Sequence, residues 1–314
     1  MRKTSPVWLA LVLLAPFAAR AGDRPSTIDE FLEPGARTRV IAHRGFSGAT
    51  PENTLAAVRA AIEVDADMVE VDVTMSADGH LVVIHDDTLD RTTDGRGAVS
   101  ELTIAELQRL DAGAWFAPHF ACERLPTLDE VLAEVQGRVL LNVEIKSEAV
   151  GRGIVDKVAA AVRARRMTRE VIVSSFAPEA LEQMHAAAPE IRTAVLYNPD
   201  FHAGRDPVAI VRDLGASAFN INRTRLDRAM LQRCREAGIP VATYTANKRR
   251  HLRKLVRMGV DAIFTDHPDR LLEVVEKGER SLHRAAPAAP PPITGDSSGT
   301  GTVAVRFGTV AEAP

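Results

Sequence analysis

Cysteine is nearly absent from this 314-residue chain: Cys122 and Cys234 stand far apart and form no Cys-x-x-Cys pair. That excludes a disulfide framework and offers no zinc or dithiol motif, so the two thiols either pair once or stay free. Aromatic residues are only 4% of the chain, which leaves a core to be built from Ala, Val, Leu and Ile. Neither sign of charge dominates, with 39 Lys and Arg against 42 Asp and Glu. No clustered positive surface therefore argues for nucleic acid as a partner. The densest basic stretch, Lys248, Arg249, Arg250, Arg253, Lys254 and Arg257, has helical spacing and reads as a solvated helix face. Beyond residue 21 there is no apolar run long enough to span a bilayer, and no feature names a protein partner.

The two ends differ from the middle. Arg2 and Lys3 precede an apolar run over residues 7–19, and Ala19-Arg20-Ala21 places small residues where a signal peptidase reads them. About 13 apolar residues fall short of the ~20 a spanning helix needs. Residues 1–21 are thus expected to be a cleaved signal peptide and the protein to be exported, periplasmic or secreted, after cleavage near Ala21. Residues 22–36 form a lead-in. From residue 284 to 314 the chain is rich in Pro, Ala, Gly, Ser and Thr, a composition expected to stay disordered.

Between these ends, over residues 37–276, short β-branched runs alternate with helical patterns. The runs are 39–43, 68–73, 81–85, 139–145, 171–175, 193–197, 218–221, 240–245 and 261–265. Helix signals fall between most of them, such as Thr127 with Glu130 three residues later, and Gly238 before Pro240. Such alternation means βαβ units and a parallel sheet. Nine runs are one too many for an eight-stranded barrel. Only Ser76-Ala77-Asp78-Gly79-His80 separates the second run from the third, and a parallel crossover needs at least about ten residues. Those two runs must form an antiparallel hairpin, which leaves eight parallel strands. The expected fold is α/β: a TIM (β/α)₈ barrel, with a small insertion over about residues 87–126 after the second strand and its hairpin arm. An open doubly wound sheet is the alternative.

In such a barrel the chemistry collects at the C-terminal strand ends. Glu70 and Asp72 share one face of their strand, as do Glu144 and Lys146 of theirs. Three carboxylates converging inside a barrel repel unless a cation joins them, so Glu70, Asp72 and Glu144 are candidate ligands for one divalent cation, Mg²⁺ or Ca²⁺. With the hairpin turn near Asp78, positions whose numbers add to about 156 lie opposite one another, which returns His85 beside Val71 and Asp72. His43 arrives from the first strand. Two histidines flanking a carboxylate-held cation suit general acid–base catalysis, and Arg44 and Lys146 add fixed positive charge for an anionic substrate such as a small phosphodiester. Phe176 and Tyr244 either line the substrate pocket or pack the barrel top. Asp90 either orients a histidine or caps a turn. Glu52 and Asn53 follow Pro51 and are expected to cap the first helix rather than meet substrate.

These motifs together resemble the glycerophosphodiester phosphodiesterases. The resemblance is carried by His43-Arg44-Gly45, Pro51-Glu52-Asn53-Thr54, Val69-Glu70-Val71-Asp72-Val73, His85-Asp86, Asp90-Arg91-Thr92-Thr93, Leu125-Pro126-Thr127-Leu128, Val143-Glu144-Ile145-Lys146, Ser174-Ser175-Phe176 and Phe264-Thr265-Asp266-His267-Pro268. They run in order over about residues 39–270. The resemblance implies hydrolysis of deacylated phospholipids to sn-glycerol 3-phosphate and an alcohol, with one divalent cation. It matches His43 and His85 to the acid–base pair, Glu70, Asp72 and Glu144 to the metal ligands, and Arg44 and Lys146 to phosphate contacts. Where the family often has Trp in the last-but-one strand, this chain has Tyr244, an aromatic wall with an added hydroxyl. Two rivals share the barrel: a phospholipase D-type lyase on lysophospholipid or sphingolipid, and a non-catalytic exported binding protein. Both histidines, all three acids and Lys146 are present, which argues against the second.

Overall fold

A computed structural model describes residues 24–34 and 37–285. The expected signal segment and nearly all of the expected tail lie outside the described residues. Among the described residues there are nine strands: β1 (Arg39–Ala42), β2 (Met68–Met75), β3 (Leu81–Val83), β4 (Leu140–Ile145), β5 (Val171–Ser175), β6 (Arg192–Leu196), β7 (Ala218–Asn222), β8 (Val241–Tyr244) and β9 (Ala262–Thr265). Eight are parallel, and β1 pairs with both β2 and β9, so the sheet closes into a TIM barrel with helices between successive strands. The expected count and closure hold.

β3 is the exception that the short Ser76–His80 link demands. It runs antiparallel to β2, pairing Val73 with Val83, Thr74 with Val82 and Met75 with Leu81, which is the expected register. β4 covers β2 only from Met68 to Val73. The upper end of β2 therefore projects past the barrel rim and carries the hairpin arm over the mouth.

Strand periodicity produces two cores. Outward residues such as Val69, Val71, Val73, Leu141, Val143 and Ile145 pack beneath the helices, which face them with residues such as Val58, Leu128, Leu132, Val158 and Leu181. Helix Leu128–Val135 opens with the expected capping box between Thr127 and Glu130. Inward residues at the lower level, including Ile41, Met68, Leu140, Ile172, Ala194, Ala218 and Ala242, fill the barrel axis. The lead-in contributes a helix, Ile28–Leu32, whose Ile28 and Phe31 join this axial cluster. Along β2 the inward positions then change from Met68 to Glu70 and Asp72, and along β4 from Leu140 to Asn142 and Glu144. An apolar floor thus supports a polar ceiling.

The insertion is folded. Leu89, Val99, Leu107, Ala112 and Leu125 make a small core of their own with Val82 and Ile84 of the hairpin arm. The basic stretch forms helix Arg249–Met258, whose Leu252 and Leu255 are buried while its Arg and Lys side chains are exposed. The two thiols are free: Cys122 is exposed and Cys234 buried. The last helix, Pro268–Ala285, runs past residue 276. Among the described residues, no helix is long and apolar enough to cross a membrane.

Candidate active site

The carboxylates meet as their strand positions require. Glu144 lies opposite Asp72 in the β2–β4 register, and Glu70 points inward two residues below Asp72. One oxygen from each of Glu70, Asp72 and Glu144 lies within 4.8 Å of the other two. Burial, reinforced by the Asp72 charge, pushes Glu70 up to about 8 and Glu144 up to about 7. Burial opposes ionisation of Asp72 as well, but Lys146 and Arg44 hold it below the usual carboxylate range. Lys146 Nζ is 3.1 Å from Glu144 Oε1 and 3.6 Å from Asp72 Oδ1, and Arg44 Nε is 3.3 Å from Asp72 Oδ2. Glu70 Oε2 accepts the Arg44 backbone N–H at 2.8 Å, whereas Oε1 is buried with no hydrogen-bond partner. A buried unpartnered oxygen in an all-carboxylate set fits a hard divalent cation, and no His or Cys in the set favours a softer one.

The β1–helix connection is shaped to serve this cluster. Arg44 (φ 55°) and Asn53 (φ 58°) both occupy the left-handed region, which is uncommon for residues other than glycine. Gly45 also has positive φ (77°), and a Cβ there would lie 2.5 Å from the Ala57 carbonyl carbon, so only glycine fits. The turn brings Asn53 onto Asp72: its Nδ2 donates to Asp72 Oδ2 at 2.9 Å and its Oδ1 accepts the Asp72 N–H at 3.2 Å. The expectation that Glu52 and Asn53 cap the first helix is therefore corrected. Thr54 caps it, accepting from Ala57 N–H, which frees Glu52 and Asn53 to turn toward the mouth.

His43 stands at the end of β1, its backbone N–H donating to Thr265 across the closing seam. Its Nδ1 donates to Asp266 Oδ1 at 2.7 Å, since a carboxylate can only accept. Asp266 is fixed in turn by Asn247, whose amide donates to the carboxylate and whose oxygen accepts the Asp266 N–H at 2.9 Å. Burial works against a charged His43, but the Asp266 hydrogen bond and the Glu70 charge outweigh it and raise its pKa.

His85 follows β3 and reaches the mouth from the arm. Its Nδ1 is 2.6 Å from Asp86 Oδ1. Burial lowers its pKa, Asp72 pulls the other way, and the charges of Arg44 and Lys146 keep it lowered. Asp90, the next carboxylate along the loop after Asp87, is a turn cap: its Oδ2 accepts Gly97 N–H at 3.1 Å. The residue that orients His85 is Asp86. Both histidines are thus gripped at Nδ1, which leaves Nε2 as the ring nitrogen able to exchange a proton.

Phe176 and Tyr244 face each other edge-on with ring centres 5.9 Å apart. Tyr244 Oη donates to the Tyr197 carbonyl at 3.2 Å, and burial raises its pKa. Asp266, Asn247 and Arg91 carry no strand-period signal that marks them as site residues. Asp266 and His43 are joined only by closure of the barrel.

A profile of the glycerophosphoryl diester phosphodiesterase family matches residues 43–270. The chain is similar to a glycerophosphodiester phosphodiesterase of Caldanaerobacter subterraneus, at 37% identity over 244 residues that span 77% of this chain and 99% of that protein. Among solved structures it resembles a glycerophosphodiester phosphodiesterase from Agrobacterium tumefaciens, with TM-score 0.68 and 34% identity over 75% of this chain and 99% of that one. It also resembles an Oleispira antarctica phosphodiesterase solved in complex with the product sn-glycerol-3-phosphate, with TM-score 0.69 and 33% identity over 76% of this chain and 97% of that one.

Proposed function

The chain belongs to the glycerophosphoryl diester phosphodiesterase family and is a phosphoric diester hydrolase, and from that premise we propose that it releases sn-glycerol 3-phosphate from deacylated phospholipids such as glycerophosphocholine or glycerophosphoethanolamine. The observation that carries this reading is one barrel mouth holding three mutually close carboxylates, two carboxylate-gripped histidines and two half-buried basic side chains, Arg44 and Lys146. Glu70, Asp72 and Glu144 would hold a divalent cation, Mg²⁺ or Ca²⁺. When bound, the cation supplies Lewis-acid polarisation of a phosphoryl oxygen.

Arg44 and Lys146 neutralise the remaining phosphate charge from opposite sides of Asp72. His85, whose neutral form is favoured by burial and then by its cationic neighbours, takes the proton of the attacking oxygen, which is water or the glycerol 2-hydroxyl. His43, whose charged form is favoured by Asp266, gives a proton to the departing alkoxide. Phe176 and Tyr244 form the wall against which the substrate lies. The opposite displacements of the two histidines match the opposite tasks.

Phosphorus NMR on glycerophosphocholine with Mg²⁺ or Ca²⁺ tests the reading. Accumulation of sn-glycerol 3-phosphate is the expected result. A cyclic phosphate as the final product would make the protein a lyase, and an unchanged substrate with either cation would remove the enzymatic reading. Export belongs to the same proposal and is supported by the Arg2-Lys3, apolar and Ala19-Arg20-Ala21 pattern. The mature protein is then expected to begin at Gly22 by intact mass, and an N-terminus that retains residues 1–21 would refute it.

A further inference from the structure

We propose that Arg91, on the insertion, is a positioning residue that holds the general base and a phosphate-binding cation in place at once. Its guanidinium bridges two carboxylates that come from different parts of the barrel rim. Nε and Nη2 donate to Asp86 Oδ2 and Oδ1 at 2.6 and 2.9 Å, and Nη1 and Nη2 donate to Glu52 Oε2 and Oε1, both at 2.8 Å. Each carboxylate then grips a group assigned to the reaction. Asp86 Oδ1 holds His85 Nδ1, and Glu52 Oε1 accepts from Arg44 Nη1 at 2.7 Å. The chain of contacts runs from His85 through Asp86, Arg91 and Glu52 to Arg44, which reaches Asp72.

The insertion is built to present this side chain. Arg91 sits on a turn whose Leu89, Thr92 and Thr93 are buried, and Thr93 closes the turn by donating its hydroxyl to the Leu89 carbonyl at 2.8 Å. Leu89 belongs to the insertion's own core. An anchored turn thus aims one exposed-stemmed arginine at the mouth. Without it, Glu52 and Asp86 lose the cation between them and like charges are left facing across the rim. His85 lies two residues beyond a three-residue strand on an arm outside the barrel wall, so it has no closing seam of the kind that fixes His43. A fork that engages two carboxylates suits arginine, since lysine cannot bridge both in two-point fashion.

This inference rests on the phosphodiesterase reading in which His85 exchanges the proton, and the experiment separates the two. Turnover of glycerophosphocholine is measured for the wild type, Arg91→Met, Arg91→Lys and His85→Ala, with kcat and KM resolved and with the melting temperature of each. Arg91→Met is expected to lower kcat by about 10–100-fold, the range for losing a group that orients another, with its melting temperature close to wild type because a half-exposed ion pair contributes little to stability. Added guanidinium should recover part of the lost kcat in Arg91→Met, and Arg91→Lys should remain impaired. Wild-type kcat in either variant, or a loss that guanidinium does not touch, overturns the positioning role. Inactive wild type, or a fully active His85→Ala, overturns the underlying reading instead.

Discussion

The two histidines of this mouth are held by different kinds of structure. His43 is gripped by Asp266, and both lie on the seam where β1 meets β9, so the barrel's closure fixes their geometry. His85 is gripped by Asp86 on a hairpin arm outside the barrel wall, and the remaining restraint comes from Arg91 on the insertion. One support belongs to the fold and the other to an addition on it. A (β/α)₈ barrel can therefore hold one histidine of its mouth from its wall and a second from a loop, where variation is tolerated more readily.

The largest expected contrast comes from replacing the two gripping carboxylates. Asp266→Asn should lower kcat by about 10²–10⁴, the usual worth of general acid–base assistance. The Asp266 bond raises the His43 pKa, so its loss should also move the alkaline limb of the pH–rate profile to lower pH. Asp86→Asn should act on the other limb. The Asp86 bond supports the charged form of His85, and without it the acid limb should move to lower pH. Shifts of the same limb in both variants would erase the distinction between donor and acceptor.

Next in size is the response to cation. Glu70 and Glu144 have folded-state values raised to about 8 and about 7. Their contribution to stability is full below the ordinary carboxylate range and is lost as pH rises through those values. Cation-free protein should therefore lose thermal stability between about pH 5 and pH 8. Mg²⁺ or Ca²⁺ should restore it, by on the order of 5–10 °C at pH 8 with the cation at a hundredfold excess over its Kd at that pH, and by less at pH 6 at the same cation concentration. A shift that is independent of pH, or absent in both metals, would refute the carboxylate site.

How far the sequence reached can be judged from particular residues. All nine strands were legible, because a β-branched run keeps its period whatever lies across from it. The hairpin register was legible for a different reason: a link as short as Ser76–His80 permits only one pairing, which is the one observed. The carboxylates followed from strand parity. Asp266 did not, since its contact with His43 spans 223 residues and exists only because the sheet closes. Glu52 and Asn53 were misread as helix caps for a local reason. Thr54 takes that role, and two left-handed residues, Arg44 and Asn53, turn the connection inward. Backbone hand in a loop leaves little trace in composition. Arg91 was visible within a motif, but its side-chain direction depends on the insertion's own core.

The smallest expected effect is on the aromatic wall. Tyr244→Phe removes one hydrogen bond to the Tyr197 carbonyl and should cost about 0.5–1.5 kcal/mol of stability by chemical denaturation, with kcat little changed. A large fall in kcat would instead give the hydroxyl a part in the reaction and add a third support to the two compared here.

The most direct measurement is turnover of glycerophosphocholine by wild type, His43→Ala and His85→Ala side by side in Mg²⁺ or Ca²⁺, read as released sn-glycerol 3-phosphate. Both variants should lose about 10²–10⁴ in kcat while keeping the cation-dependent gain in melting temperature. Wild-type turnover by either variant would contradict the assignment of the two histidines as the acid–base pair.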